Sequence, residues 1–131
     1  MNAAGPPQIL LVDDNPSNLK LLTVILKFHG HTIHTALNAE DAEIMIAASS
    51  FDLILTDIEL PGMDGLTFTK KLKTNEKTRH IPIVAVTAFA MRGDDIKALN
   101  AGCDGYISKP IDVSTVGSEI LKYLSGSDRS P

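Results

Sequence analysis

Three stretches of this 131-residue sequence are continuously apolar and rich in β-branched residues: QILLVD from Gln8, DLILTD from Asp52 and IPIVAVT from Ile81. A strand with one face in water alternates apolar and polar residues, whereas a strand covered on both faces does not. The runs therefore predict central strands of a sheet that carries helices on both sides. HTIHTA (31–36) and GYIS (105–108) are less apolar, as edge or less buried strands would be.

Helical patterns fill the intervals. Asn15 is a good N-cap, Pro16 suits the first helical position, and Leu19, Leu22, Ile25 and Leu26 recur at helical spacing until Gly30. Asn38 opens a second helix carrying Ala42, Met45 and Ile46, and Asp64 a third through Leu66 to Lys73. A fourth is predicted from about Arg92 to Asn100 with Gly102 at its C-terminal cap, and a fifth carries Val113, Val116, Ile120 and Leu124. The order is five βα units. Strands alternating with right-handed crossover helices predict an α/β fold with a parallel sheet between two helical layers.

The length suits a single domain that buries roughly two-thirds of its unfolded surface. We place that domain at 8–125, after a polar, proline-containing lead (1–7) and before a polar tail (126–131), both expected to be flexible. No apolar run approaches the roughly 20 residues that span a bilayer, and MNAAGPPQ lacks the basic and apolar regions of a signal peptide. The expected location is the cytoplasm, without membrane association. Cys103 is the only cysteine, which excludes an intrachain disulfide, and a formal charge of −4 argues against nucleic-acid binding. A protein or a cation is the expected partner.

In parallel sheets of this kind the site lies outside the carboxyl ends of the strands. Asp13 and Asp14 fall at the end of the first predicted strand, Asp57 at the end of the third, Thr87 at the end of the fourth and Lys109 just after the fifth. Three converging carboxylates repel one another unless a cation sits between them, and an all-oxygen site suits a hard divalent ion such as Mg²⁺. Such an ion keeps room for a phosphoryl group, with Lys109 as a point charge on it, the Thr87 hydroxyl as a donor and Asp57 as the nucleophile that forms an acyl phosphate. A lone Asp at a strand end is more often a cap or turn residue. It is the joint placement of these residues that points to chemistry.

Other tempting features have plainer readings. His29, His31 and His34 are expected at a helix end, a turn and an outward strand position, on a solvated surface and not as metal ligands. Cys103 reads as a small buried side chain, Gly62 and Gly65 of PGMDG as turn residues, and the Val113, Val116, Ile120, Leu124 stripe mainly as core.

LLVDDNP, DLILTDIELPGMDG, IPIVAVTAF and AGCDGYISKP together resemble the receiver domains of two-component response regulators, from about Gln8 to Leu124. The resemblance implies a flavodoxin-like fold with strand order 2-1-3-4-5 and phosphorylation of Asp57 by a sensor histidine kinase or a histidine phosphotransfer protein. Asp14 and Asp57 would ligate Mg²⁺ (or Mn²⁺) with the backbone carbonyl of Glu59, and Asp13 would hold the ion through water. Lys109 and Thr87 would contact the phosphoryl group. Tyr106 matches the aromatic that moves with the threonine, and the Lys109-Pro110 bond would be cis. Glu59 and Phe89, each two residues past a site residue, are placed to tune the lifetime of the phosphorylated state.

The expected function is a stand-alone phosphorylation-controlled binding module, with phosphoryl acceptance and slow autodephosphorylation as its only chemistry. It would be monomeric, with a dimer as the alternative, and would act on a downstream protein that the sequence does not identify. A receiver excised from a hybrid kinase or longer regulator would look the same. An aspartyl-phosphate phosphatase similar to the haloacid dehalogenases needs a second Asp two residues after the nucleophile, where this chain has Glu59. A flavin-binding domain needs a phosphate loop where Asp13 and Asp14 stand.

Overall fold

The computed structural model describes residues 5–88 and 93–128. Among these described residues five strands and five helices alternate: β1 (Gln8–Val12), α1 (Pro16–Phe28), β2 (Thr32–Ala36), α2 (Ala39–Ala48), β3 (Leu53–Asp57), α3 (Gly65–Thr74), β4 (Ile83–Thr87), α4 (Asp94–Ala101), β5 (Gly105–Ser108) and α5 (Val116–Asp128). The sheet is parallel throughout, in the order β2-β1-β3-β4-β5, the flavodoxin-like arrangement expected.

Period-2 alternation of the strands divides the core into two layers. Leu10, Val12, Ile54, Ile83 and Ala85 face Ala39, Ala42, Phe68, Leu72 and Ala98 of α2, α3 and α4. Ile9, Leu11, Leu53, Leu55, Val84 and Val86 face Leu19, Leu22 and Leu26 of α1 and Val116, Ile120 and Leu124 of α5. Every residue of β3 and β4 is buried, while β2 and β5, at the edges, are only partly so. With β1 buried at all but its first residue, this is why the three central strand runs read strongly in the sequence and the two edge runs weakly.

The helix starts follow the side-chain caps. Asn15 Oδ1 accepts from the Ser17 N–H at 2.9 Å, Asn38 Oδ1 from Asp41 at 2.7 Å and Asp64 Oδ1 from Thr67 at 2.8 Å. α4 differs: it starts at Asp94 behind Gly93, which has no side chain to cap it. The Arg92 start expected for that helix lies outside the described residues.

Two expectations are revised. Val113 is exposed in the turn before α5 and is not part of the helical core stripe, because Asp112 accepts from the Ser114 N–H and Oγ in a local turn and the helix begins only at Val116. α5 itself runs to Asp128. His31 is buried, not a solvated turn residue. It lies two residues before Ile33, on the strand parity that faces α1, and its N–H bonds to the Leu26 carbonyl at the end of that helix. Neither ring nitrogen of His31 has a hydrogen-bond partner among the described residues. His34 is half-buried, bonded to Gln8 Oε1 at 2.8 Å and edge-on to Phe51.

Candidate functional site

The carboxyl ends of β1 and β3 bring the acidic residues together. One carboxylate oxygen from each of Asp13, Asp14 and Asp57 lies within 4.8 Å of the others, with Asp13 and Asp57 buried and Asp14 exposed. Asp57 is the last residue of β3, paired in register with Val86 of β4. Its Oδ1 accepts from the Glu59 N–H at 3.0 Å and its Oδ2 from Lys109 Nζ at 2.7 Å. Each carboxylate oxygen has two lone pairs, so each keeps one for a further partner.

Asp13 is more tightly held. Its Oδ1 accepts from the Asn15 N–H at 2.9 Å and its Oδ2 from Asn18 Nδ2 at 3.3 Å, with Lys109 Nζ at 3.5 Å. Burial raises its pKa, against the Asn15 hydrogen bond and the charge of Lys109. Burial alone would lower the pKa of Lys109, but its hydrogen bond to Asp57 and the charges of Asp57 and Asp13 leave it above the ordinary lysine value. Lys109 therefore stays cationic throughout the neutral range.

Lys109 follows β5 and is placed by its backbone: its N–H donates to the Thr87 carbonyl at 2.8 Å, tying the ends of β4 and β5, and the Lys109-Pro110 bond is cis. Thr87 is buried, and its hydroxyl donates to Asp94 Oδ2 at 3.2 Å. Tyr106 is 39% exposed on the outer parity of β5, between the buried Gly105 and Ile107. Glu59 is exposed two residues beyond Asp57. Phe89 lies outside the described residues.

The donor set fits a hard divalent cation: oxygen ligands only, with net negative charge after Lys109 is counted against the three aspartates. Asp13, Asp14 and Asp57 each have a carboxylate oxygen placed to serve such an ion.

Three contributors were not singled out from the sequence, and a fourth was read only in part. Asn18 steadies Asp13 from the first turn of α1. Asp94 receives the Thr87 hydroxyl. Glu40, in the first turn of α2, accepts from the Met63 N–H at 3.2 Å and ties down the β3–α3 connection. Gly65 was expected only as a turn residue, yet a Cβ there would stand 2.1 Å from the Asp57 carbonyl oxygen. A glycine at the first position of a helix, where its propensity is poor, was the available signal of a close approach.

A sequence model of the response regulator receiver domain matches residues 9–121. The polar-differentiation response regulator DivK of Brucella anthropi is 41% identical over 119 residues, spanning 91% of this chain and 97% of that protein. DivK of Brucella ovis is 44% identical over 117 residues, 88% of this chain and 94% of its own. Among solved structures, the receiver domain of a signal transduction histidine kinase from Syntrophus aciditrophicus superposes with a TM-score of 0.87 at 30% identity, covering 95% of both chains. The receiver domain of a sensor histidine kinase from Pseudomonas aeruginosa PAO1 does so with a TM-score of 0.85 at 30% identity, covering 92% of this chain and 99% of that one. That structure has a magnesium ion coordinated in its active-site cleft.

Proposed function

Because the chain belongs to the response regulator receiver family, whose members are signalling proteins controlled by phosphorylation, we propose that Asp57 accepts the phosphoryl group, taking it from a phosphohistidine of a sensor histidine kinase or a histidine phosphotransfer protein. The observation that carries this reading is the Asp57 carboxylate, buried at the end of β3, paired with Lys109 and clustered with Asp13 and Asp14. A carboxylate oxygen of Asp57 bonds to phosphorus as the phosphorus–nitrogen bond to the donor imidazole breaks, and the imidazole nitrogen keeps the electron pair and takes up a proton. Lys109 remains as a fixed positive charge beside the incoming oxygens, and the Thr87 hydroxyl donates to one of them.

Asp14, Asp57 and the Glu59 carbonyl would hold Mg²⁺ or Mn²⁺, with Asp13 assisting through water. The ion supplies neutralisation of the charge that gathers on the phosphoryl oxygens. Hydrolysis of the acyl phosphate by water is the only other reaction, and Glu59, exposed at the edge of the site, sets its pace.

Partner contacts use two surfaces. Leu21, Val24 and Phe28 form an exposed apolar stripe along α1, the helix that starts at the site, which with Pro110 suits docking of the phosphodonor. Ile96, Leu99 and Tyr106 expose apolar surface on α4 and β5, next to the switch residue Thr87, which suits an effector protein. The protein acts as a monomer in the cytoplasm; among the described residues no helix is long and apolar enough to cross a membrane.

The test is intact-protein mass after incubation with Mg²⁺ and acetyl phosphate, beside Asp57→Asn and a chelator control. One added phosphoryl group that disappears in both controls is expected. An adduct that survives Asp57→Asn would overturn the assignment of the acceptor.

A further inference from the structure

We infer that Asp94 is a positioning residue for the switch: its carboxylate holds the Thr87 hydroxyl in the unphosphorylated protein and competes with the phosphoryl group for that hydroxyl's proton. The inference rests on Asp57 being the phosphoryl acceptor and Thr87 a donor to the group it carries.

The geometry is specific. Thr87 is buried at the end of β4, its carbonyl is fixed by the Lys109 N–H at 2.8 Å, and its hydroxyl donates to Asp94 Oδ2 at 3.2 Å. With the backbone pinned, the freedom left to Thr87 is rotation about χ1 among a few staggered wells. A threonine hydroxyl carries one proton. A rotamer that aims it at a phosphoryl oxygen on Asp57 withdraws it from Asp94.

Asp94 is the first residue of α4, and the residue before it, Gly93, supplies no side-chain cap. Its carboxylate is 15% exposed, with Lys97 Nζ at 3.9 Å from Oδ1. The Thr87–Asp94 bond therefore joins the end of a core strand to the start of α4. When the hydroxyl leaves, a poorly solvated carboxylate loses a donor at the point where α4 is held, and the first turn of that helix is released to move. The proton of Thr87 is thus the element through which phosphorylation biases α4, and Asp94 sets how strongly the resting state resists.

The experiment is titration of the Mg²⁺-loaded protein with beryllofluoride, read by calorimetry, on the full chain and on Asp94→Ala, Asp94→Asn, Thr87→Ala and the Asp94→Ala/Thr87→Ala double variant. Removing the competitor should tighten binding in Asp94→Ala by roughly three- to tenfold, the span one exchanged hydrogen bond carries. Asp94→Asn, which keeps an uncharged acceptor, should fall between. In the Thr87→Ala background the Asp94 substitution should have no effect, a coupling that a purely structural role for Asp94 would not produce. Unchanged or weaker binding in Asp94→Ala, or a gain that persists without Thr87, would overturn the inference. A second readout needs no ligand: three-bond couplings at the Thr87 side chain should report a changed χ1 population in Asp94→Ala, and an unchanged population would overturn it. Failure of the parent protein to bind beryllofluoride, with the χ1 change present, would count against the acceptor assignment and leave the Asp94 contact supported.

Discussion

Lys109 Nζ lies 2.7 Å from Asp57 Oδ2 and 3.5 Å from Asp13 Oδ2, so one ammonium group bridges the ends of β1 and β3 from a residue that follows β5. It offsets part of the mutual repulsion of three carboxylates and, in the function proposed, supplies positive charge to the phosphoryl group. Replacing it with a neutral side chain of similar length separates these two effects. Lys109→Met should still fold, and its acyl-phosphate formation from acetyl phosphate should fall by roughly 10²-fold or more, the scale of losing one preorganised charge at a transition state. Stopped-time mass spectrometry against the parent chain checks it.

Because Lys109 leaves net negative charge at the Asp13, Asp14 and Asp57 cluster, a divalent cation should stabilise the fold itself. At an Mg²⁺ concentration about 100 times its dissociation constant, the gain should be about 2.7 kcal/mol, read as a rise in thermal midpoint. Asp14→Asn, the exposed member of the trio, should lose most of that gain while unfolding normally without the ion. Equal shifts in both proteins would place the ion elsewhere.

Gly65 lets the start of α3 come close to the backbone of Asp57 and Ile58. A Cβ there would come within 2.1 Å of the Asp57 carbonyl oxygen and 2.8 Å of Ile58 Cα, both backbone atoms that cannot swing aside. Gly65→Ala should cost about 1–3 kcal/mol of stability and also slow phosphoryl acceptance, because relief of the clash displaces Asp57. Thr67→Ala, at an exposed position in the same helical turn, is the control that should leave acceptance unchanged.

The fold was largely legible because its central strands are buried on both faces and its first three helices start at Asn15, Asn38 and Asp64, residues whose side chains cap backbone N–H groups. The site was legible where strand ends carry it, as at Asp13, Asp57 and Thr87. The contributions of Asn18, Glu40 and Asp94 depend on which helix turn faces which loop, and no local pattern encodes that. Val113 misled because its spacing to Val116 is helical while the Asp112 side chain favours a turn. His31 misled because a short stretch between Gly30 and β2 reads as a polar turn, and only the packing of β2 beneath α1 buries it.

Glu59 places a like charge two residues beyond Asp57, exposed and with its backbone N–H donating to Asp57 Oδ1. An anionic phosphodonor should therefore meet a small electrostatic barrier. Glu59→Gln should speed phosphorylation by acetyl phosphate by roughly two- to fivefold at low ionic strength, and the advantage should shrink as salt screens the interaction. A rate difference independent of salt would assign Glu59 a steric role instead.

His31 makes stability depend on pH. Burial, reinforced by the charge of His29, lowers its pKa below the ordinary 6.5, so the unfolded chain binds a proton that the folded chain resists. The folded state then gains from this group fully above about pH 6.5 and loses that gain as pH falls from there through the lowered folded value. Across that window one such proton gives a slope of up to about 1.4 kcal/mol per pH unit. His31→Leu, which fills the same buried position without ring nitrogens lacking partners, should remove this part of the slope and leave the variant more stable than the parent at mildly acid pH. Urea midpoints measured from pH 5 to pH 8 on both proteins would show it, and parallel curves would mean that His31 finds a partner for its proton within the fold.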